Sequence, residues 1–385
     1  MMKLPYQIKW RYQQLRGKML GLSGEALWGR LRKQQHLDLC RYEHVETLEK
    51  AYGFSELSFV PQAAPELNWD DLVVSAQFLG RTFAAPLLIS GMTGGVEAGE
   101  RINRRLAAAA AHLGIPLGLG SQRVACENPR HTGIFTMKKQ HPNLYLLGNI
   151  GCAQLVLPGG LDLAKKAVEM VEADALVVHL NVLQECIQQE GNRNFAGFLQ
   201  RLEELCSQLG VPVLVKEVGC GISVSAAERL LACGIAALDI AGKGGTSWGY
   251  IEGLRSNSPA QQQLGASFRN WGIPTAYSLV ALRRRFPEAV LIASGGVRDG
   301  LTVAKAVALG AQLVGVALPL MQAALISEEA VVASLETIIR GLKITMLATG
   351  SRTTTELSSA LCSGQALGQE FYAGLEVLRK QSHGE

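Results

Sequence analysis

No two of the eight cysteines form a C-x-x-C pair, so the chain offers neither a zinc ribbon nor a dithiol redox motif. They stand singly, most in apolar surroundings such as VGCGIS and LLACGIAAL. That pattern reads as small packed residues in a reducing compartment, and the expectation is a cytoplasmic protein. An excess of one charge is also missing. The 37 basic and 33 acidic side chains leave a net +4, too balanced to argue for nucleic acid. The 42 glycines have no G-x-y period, which excludes collagen. Ala306 to Ser327 carries no charge, but Gln312, Pro319 and Gln322 interrupt it, and it reads as helix end, Gly310, then strand. A buried strand–helix unit explains it better than a membrane span.

What is present is an ordinary globular composition, 48% hydrophobic and 18% charged. The length of 385 residues fits two or three domains, or one α/β barrel of about 250 residues with extensions. Residues 1–31 hold Lys3, Lys9, Arg11, Arg16, Lys18 and Arg30 against Glu25 alone, so the remaining chain is close to −1. This leader has no apolar run with a cleavage site, and Ser23 is its only serine. It reads as a basic appendage rather than a secretory signal.

From residue 86 onward, short Val/Ile/Leu-rich runs recur: PLLISGM (86–92), PLGLGS (116–121), LYLLGNI (144–150), ALVVHLN (175–181), PVLVKEV (212–218), ALDIAG (237–242), VLIASGG (290–296) and LVGVA (313–317). Near-continuous apolar runs mark strands buried on both faces, as in parallel sheets. Helix-like stretches lie between them, several ending in Gly. Eight alternating units predict an α/β fold, a (β/α)8 TIM barrel with an N-terminal extension. The domain reading is a leader (1–31), an extension (32–85) and a barrel with closing helices (86–385). The segment between the sixth and seventh runs is unusually long and polar, and reads as an active-site loop or lid.

In such barrels the chemistry lies at the C-terminal strand ends, and nearly every end here carries polar or Gly-rich residues. Ser294-Gly295-Gly296 and Ala317-Leu318 stand where this fold often binds phosphate. GKGGTS (242–247) is not a P-loop, because Lys243 precedes the glycine pair. Lys216 follows Val213-Leu214-Val215 and belongs in the barrel mouth. It can be a Schiff-base lysine, a cation for the electron-rich end of a flavin, or a member of an ion pair. His179 and Asn181 alternate and so share a face, followed by Gln184 and Glu185. A lone carboxylate with amide neighbours suits Mg2+ that is held mainly by substrate phosphate and water. Arg32, Lys33 and His36, at i, i+1 and i+4, can share a helical face and clamp an anion.

Together these residues closely resemble the type 2, FMN-dependent isopentenyl-diphosphate isomerases. The matching segments are RKQQH (32–36), SGMTGG (90–95), GLGSQR (118–123), GNIG (148–151), HLNVLQE (179–185), EGNRNF (190–195), KEVGCGIS (216–223), DIAGKGGTSW (239–248), ASGGVRDG (293–300) and VALP (316–319). The resemblance covers roughly residues 32–350 with order and spacing kept. It implies that FMN is held by Gly91, Met92 and Thr93, with Ser121 and Asn149 beside the ring. Lys216, Ala241, Thr246, Gly295, Gly296, Arg298, Ala317 and Leu318 would complete that site. The substrate diphosphate would meet Arg32, Lys33 and His36, with His179, Asn181 and Gln184 nearby. Gln184 and His179 are then the catalytic candidates, and Glu185 the Mg2+ ligand. Ala241 stands where family members often carry Ser.

The reaction implied is the interconversion of isopentenyl and dimethylallyl diphosphate, with reduced FMN as acid and base and NADPH needed only to reduce the flavin. The resemblance also implies a homo-oligomer, tetramer or octamer, with no nucleic-acid partner and no membrane span. The competing expectation is an FMN-dependent oxidoreductase of the 2-hydroxy-acid oxidase type. That enzyme needs a His base and an Arg clamp after a late strand, and the loop Lys243-Gly244-Gly245-Thr246 supplies no His.

Overall fold

The structure, a computed structural model, describes residues 24–48, 53–92 and 97–364, with side chains from residue 31 except at 97 and 129. Each of the eight apolar runs forms one strand of a closed barrel. The strands are β1 (Leu87–Ile89), β2 (Leu117–Gly118), β3 (Leu146–Gly151), β4 (Ala175–Leu180), β5 (Val213–Glu217), β6 (Ala237–Asp239), β7 (Leu291–Ser294) and β8 (Leu313–Val316). They pair in chain order, all parallel, and β8 closes on β1. The strands are buried along almost their whole length, which is why their sequences are continuously apolar rather than alternating.

The longer helices are α1 (Gly24–Tyr42), α2 (Glu97–Leu113), α3 (Gly160–Val171), α4 (Val182–Ile187), α5 (Phe198–Gln208), α6 (Val224–Ala232), α7 (Trp248–Arg255), α8 (Pro259–Ser267), α9 (Thr275–Arg285), α10 (Gly300–Ala308), α11 (Leu318–Ile326) and α12 (Glu328–Ala348). Local chemistry fixes several starts. Ser223, Asp299 and Ser327 accept a backbone N–H at the N-caps of α6, α10 and α12. The apolar faces pack on the strands, where each fully buried Leu or Ile stabilises the fold by ~2 kcal/mol.

A second apolar cluster fills the barrel interior with Leu88, Leu147, Leu214, Ile292 and Leu313. A hairpin of Ala76–Phe78 and Arg81–Phe83 adds Phe78 and Phe83 to it, with Tyr145 edge-on to Phe83. The N-terminal end is thereby plugged, and the opposite end is left for a site. Among the described residues, no helix is long and apolar enough to cross a membrane.

Two features depart from the sequence reading. The boundary expected at 31/32 falls inside α1, a single helix from Gly24 to Tyr42; residues 1–23 lie outside the described residues. The long segment after β6 is a packed helical pair rather than an open loop, because α7 and α8 close against each other through Gly253 and Gly265, where a Cβ on either would meet the other backbone below 3 Å. The cysteines are all free, but Cys186 is exposed rather than packed.

Candidate active site

The helix α1 lies over the barrel mouth and turns Arg32, Lys33 and His36 into one cavity with the ends of β2, β3 and β4. Lys33 Nζ donates to the Ser121 carbonyl at 3.1 Å. Burial pushes its ammonium down to about 7, with Arg32 and Arg123 adding repulsion. His36 sits edge-on to Trp248, and burial pushes its imidazole below the ordinary value. The chain after α1 then straps the loop beyond β6. Thr47 N–H donates to Gly245 O at 3.0 Å, and Ser247 N–H to Val45 O at 2.9 Å.

At the end of β4, His179 and Asn181 both face this cavity, as the alternation requires. Asn149 Nδ2 donates to Leu119 O at 2.8 Å, so its Oδ1 accepts from His179 Nδ1 at 2.7 Å. The imidazole therefore carries its proton on Nδ1 and leaves Nε2 bare. Burial, with repulsion from Lys216 and Lys33, pushes His179 down to about 4, so it is neutral near pH 7. Glu185 accepts from Asn181 Nδ2 at 2.9 Å and from Asn192 N–H at 2.8 Å.

The most connected acid of the site is Glu252 on α7. Its carboxylate accepts from His36 Nε2 at 2.8 Å, from Gln184 Nε2 at 3.0 Å and from Arg255. Burial alone would raise its carboxyl; His36 and the Arg255 guanidinium outweigh this and hold it at about 2. Arg255 continues to Glu190 at 2.8 Å, and Glu190 to Arg32 at 3.9 Å. A chain of charges from Arg32 to Glu252 thus joins the clamp helix, through Gln184, to α4 just beyond the fourth strand.

A second pocket adjoins the first and shares Gly91, Met92, Lys216, Val218 and Trp248 with it. It runs from β1 to the ends of β6, β7 and β8, and takes in Ala241, Thr246, Gly295, Gly296, Arg298, Ala317 and Leu318. Gly295 and Gly296 have φ of 100° and 86°, backbone that side chains rarely adopt. The N-terminus of α11 opens here without a capping side chain at Ala317. Ala241 holds a left-handed φ of 38°, the kind of strain that persists where the surroundings over-determine the backbone.

The chain matches the FMN-dependent dehydrogenase family over residues 154–363. An isopentenyl-diphosphate delta-isomerase of Nostoc sp. is 45% identical over 326 residues, 85% of this chain and 93% of the relative. Its namesake from Stutzerimonas stutzeri is 47% identical over 321 residues, 83% and 93% respectively. This chain belongs to the type 2, FMN-dependent isopentenyl-diphosphate delta-isomerases. Among solved structures, an active mutant of (S)-mandelate dehydrogenase superposes with a TM-score of 0.61 at 19% identity, covering 87% of this chain and 98% of that one. At that identity the likeness carries the fold alone.

The isomerase therefore brings together every sequence-expected site residue that the structure describes. Arg32, Lys33, His36, Ser121, Asn149, His179, Asn181, Gln184 and Glu185 line one pocket, and Gly91, Met92 and Lys216 line both. Thr93 lies outside the described residues. Three members of the site went unread. Glu252 lies in the long segment after β6 that reads as an active-site loop or lid, and Trp248 enters the sequence reading only within DIAGKGGTSW. Ser90 was read only as part of a motif.

FMN fits the second pocket on a further observation. Ser90 is 5% exposed, its buried hydroxyl has no partner within the protein, and the residue lines this pocket. A buried hydroxyl without a partner costs ~1–3 kcal/mol, which a ligand acceptor or donor would recover. Lys216, Arg298, the glycine pair and the α11 N-terminus match an electron-rich ring and a phosphate. Among the described residues, no group of three His, Cys, Asp or Glu forms a ready-made metal cage.

Proposed function

We propose that this isomerase interconverts isopentenyl and dimethylallyl diphosphate on reduced FMN with Mg2+, and that the two adjoining pockets divide the work. The cationic clamp on α1 set beside the amide-and-carboxylate end of β4 is the observation that carries this reading. Arg32, Lys33 and His36 bind the diphosphate. Glu185, oriented by Asn181 and the Asn192 N–H, supplies one anchoring oxygen to Mg2+, whose remaining ligands come from the diphosphate and water.

The reaction adds a proton at the terminal methylene of a very weak base and removes one from C2. Glu252 cannot be that acid, because it is ionised far below neutrality. FMN, when bound and reduced, supplies an acid and a base at one ring edge. The chain's own part is placement. Gln184 donates its amide N–H to Glu252, which leaves its carbonyl oxygen to position or relay the C2 proton. Neutral His179 offers Nε2 as an acceptor without adding positive charge beside Lys216. FMN would be held by Gly91, Met92 and Thr93, by Ser121 and Asn149, and by Lys216, Ala241, Thr246, Gly295, Gly296, Arg298, Ala317 and Leu318. NADPH serves only to reduce it. The reading extends to a cytoplasmic homo-oligomer.

The purified protein is expected to be yellow, and active only after reduction and with Mg2+ present. Gln184→Ala and Glu185→Ala should lower kcat by at least tenfold with flavin still bound, and a chelator should mimic Glu185→Ala. Full turnover with oxidised flavin, or by both variants, would overturn the reading.

A further inference from the structure

Beneath the second pocket, one carboxylate faces the lysine that the flavin reading assigns to the ring. Lys216, Asp239 and Ser294 stand on three successive strands, β5, β6 and β7, with Lys216 directly opposite Asp239 in register. Asp239 is 2% exposed. Lys216 Nζ lies 3.2 Å from Asp239 Oδ2, donates to Glu217 O at 3.0 Å and to Ser294 Oγ at 3.4 Å. Ser294 Oγ in turn donates to Asp239 Oδ1 at 2.5 Å. The three side chains close a ring of two hydrogen bonds and one ion pair. Lys216 and Ser294 line the pocket, whereas Asp239 does not. The carboxylate sits behind the cation, on the side away from the ligand.

We propose that Asp239 is a positioning residue that fixes the Lys216 ammonium and cancels its charge, so that the flavin meets a hydrogen-bond donor rather than a net positive site. The inference rests on the flavin reading above. Its physical content is electrostatic. A buried cation beside the ring would stabilise the electron-rich reduced state and raise the reduction potential. It would also favour loss of a proton from that state. A neutral Lys–Asp pair withholds both effects. In a site with no net redox turnover, it leaves the reduced ring its protons for acid–base work. Ser294 keeps the carboxylate from swinging toward the ligand, because its hydroxyl occupies Oδ1.

The test is the midpoint potential of bound FMN, by dye equilibration on the flavin-loaded protein. Asp239→Asn keeps the shape and one acceptor oxygen while removing the charge. Its potential should rise by at least about 30 mV, a tenfold shift in a two-electron equilibrium. A role confined to structure would lower Tm and FMN affinity and leave the potential of the bound fraction unmoved. That result would overturn the proposal.

Should the unpaired ammonium prevent Asp239→Asn from folding, Lys216→Gln is compared with Lys216→Gln/Asp239→Asn. The double variant should have the higher potential by the same margin, and equal potentials would overturn the idea. A colourless wild-type protein that takes up no FMN overturns the flavin reading itself. Unchanged potentials in yellow variants overturn only the role of Asp239.

Discussion

Replacing Glu252 by Gln changes one atom in a carboxylate that holds three donors, and the structure dictates two ways in which it fails. Oε1 accepts from His36 and Gln184, and Oε2 from Arg255. If the new amide keeps its oxygen toward His36 and Gln184, its NH2 faces the Arg255 guanidinium, and a charged pair is lost. If it turns around, Gln184 must also reverse to find an acceptor and would present N–H, not carbonyl, to the substrate. Either way a charge-assisted hydrogen bond worth about 1.5–3 kcal/mol disappears or the relay is inverted. Expressed wholly in the transition state, that is roughly a ten- to hundredfold loss in kcat.

Stability should fall too. The wild-type carboxyl is held at about 2 against an ordinary 4.5. Its contribution is therefore complete above pH 4.5 and is lost as pH falls toward 2, about 3 kcal/mol in all. The assay is turnover of isopentenyl diphosphate by flavin-loaded protein, beside thermal melts between pH 3 and 7. A Glu252→Gln protein with kcat within twofold of wild type, and with the same melting profile against pH, would refute the reasoning.

Lys33, held near 7 by burial in the ligand-free site, should gain a proton when a diphosphate arrives beside it. Calorimetry of pyrophosphate binding near pH 8, in two buffers of different ionisation heat, should then give different enthalpies. Lys33→Met should abolish the difference, and equal heats for wild type would sink the idea. His179, neutral down to about 4 when folded, binds fewer protons than the unfolded chain between there and 6.5. Stability should rise with pH across that window by up to about 3 kcal/mol, and His179→Gln should remove that share. An unaltered slope in the variant would count against burial as the cause of the shift.

The barrel was legible because its physics is local and periodic. A parallel strand buried on both faces must be continuously apolar, and LLI, LLGNIG, VLVKE and LVGV carry that signature within single windows. The turn chemistry at the ends is equally local: Ser223, Asp299 and Ser327 announce their helices. The clamp was readable for the same reason, since i, i+1 and i+4 share a face only if the segment is helical, and α1 is. The segment after β6 does reach the site through Trp248 and Glu252, but its helices were not legible, because polarity is a poor guide where a helix packs through glycines. Gly249, Gly253 and Gly265 let α7 approach its neighbours closely while its surface residues stay polar.

Glu252 and Asp239 were out of reach for a different reason. Glu252 lies on a helix, and Asp239, although the last residue of β6, does not line the pocket. Glu252 acquires its role from His36 on α1 and Gln184 on α4, 216 and 68 residues away along the chain. Asp239 acquires its role from Lys216 on one neighbouring strand and Ser294 on the other. A titratable group that works by holding another is defined by three-dimensional contact, and its sequence context shows only an acid after an apolar run. The two acids also divide the electrostatics of the site. Glu252 collects positive charge from the clamp side and turns it into a fixed orientation for Gln184. Asp239 removes positive charge from the flavin side. Between them lies His179, neutral because burial, with Lys216 and Lys33 adding repulsion, opposes its protonation. On the clamp side the Arg32 guanidinium, joined by Lys33 as it gains a proton on binding, meets the anionic head group, while the proton-transfer region beneath stays close to neutral.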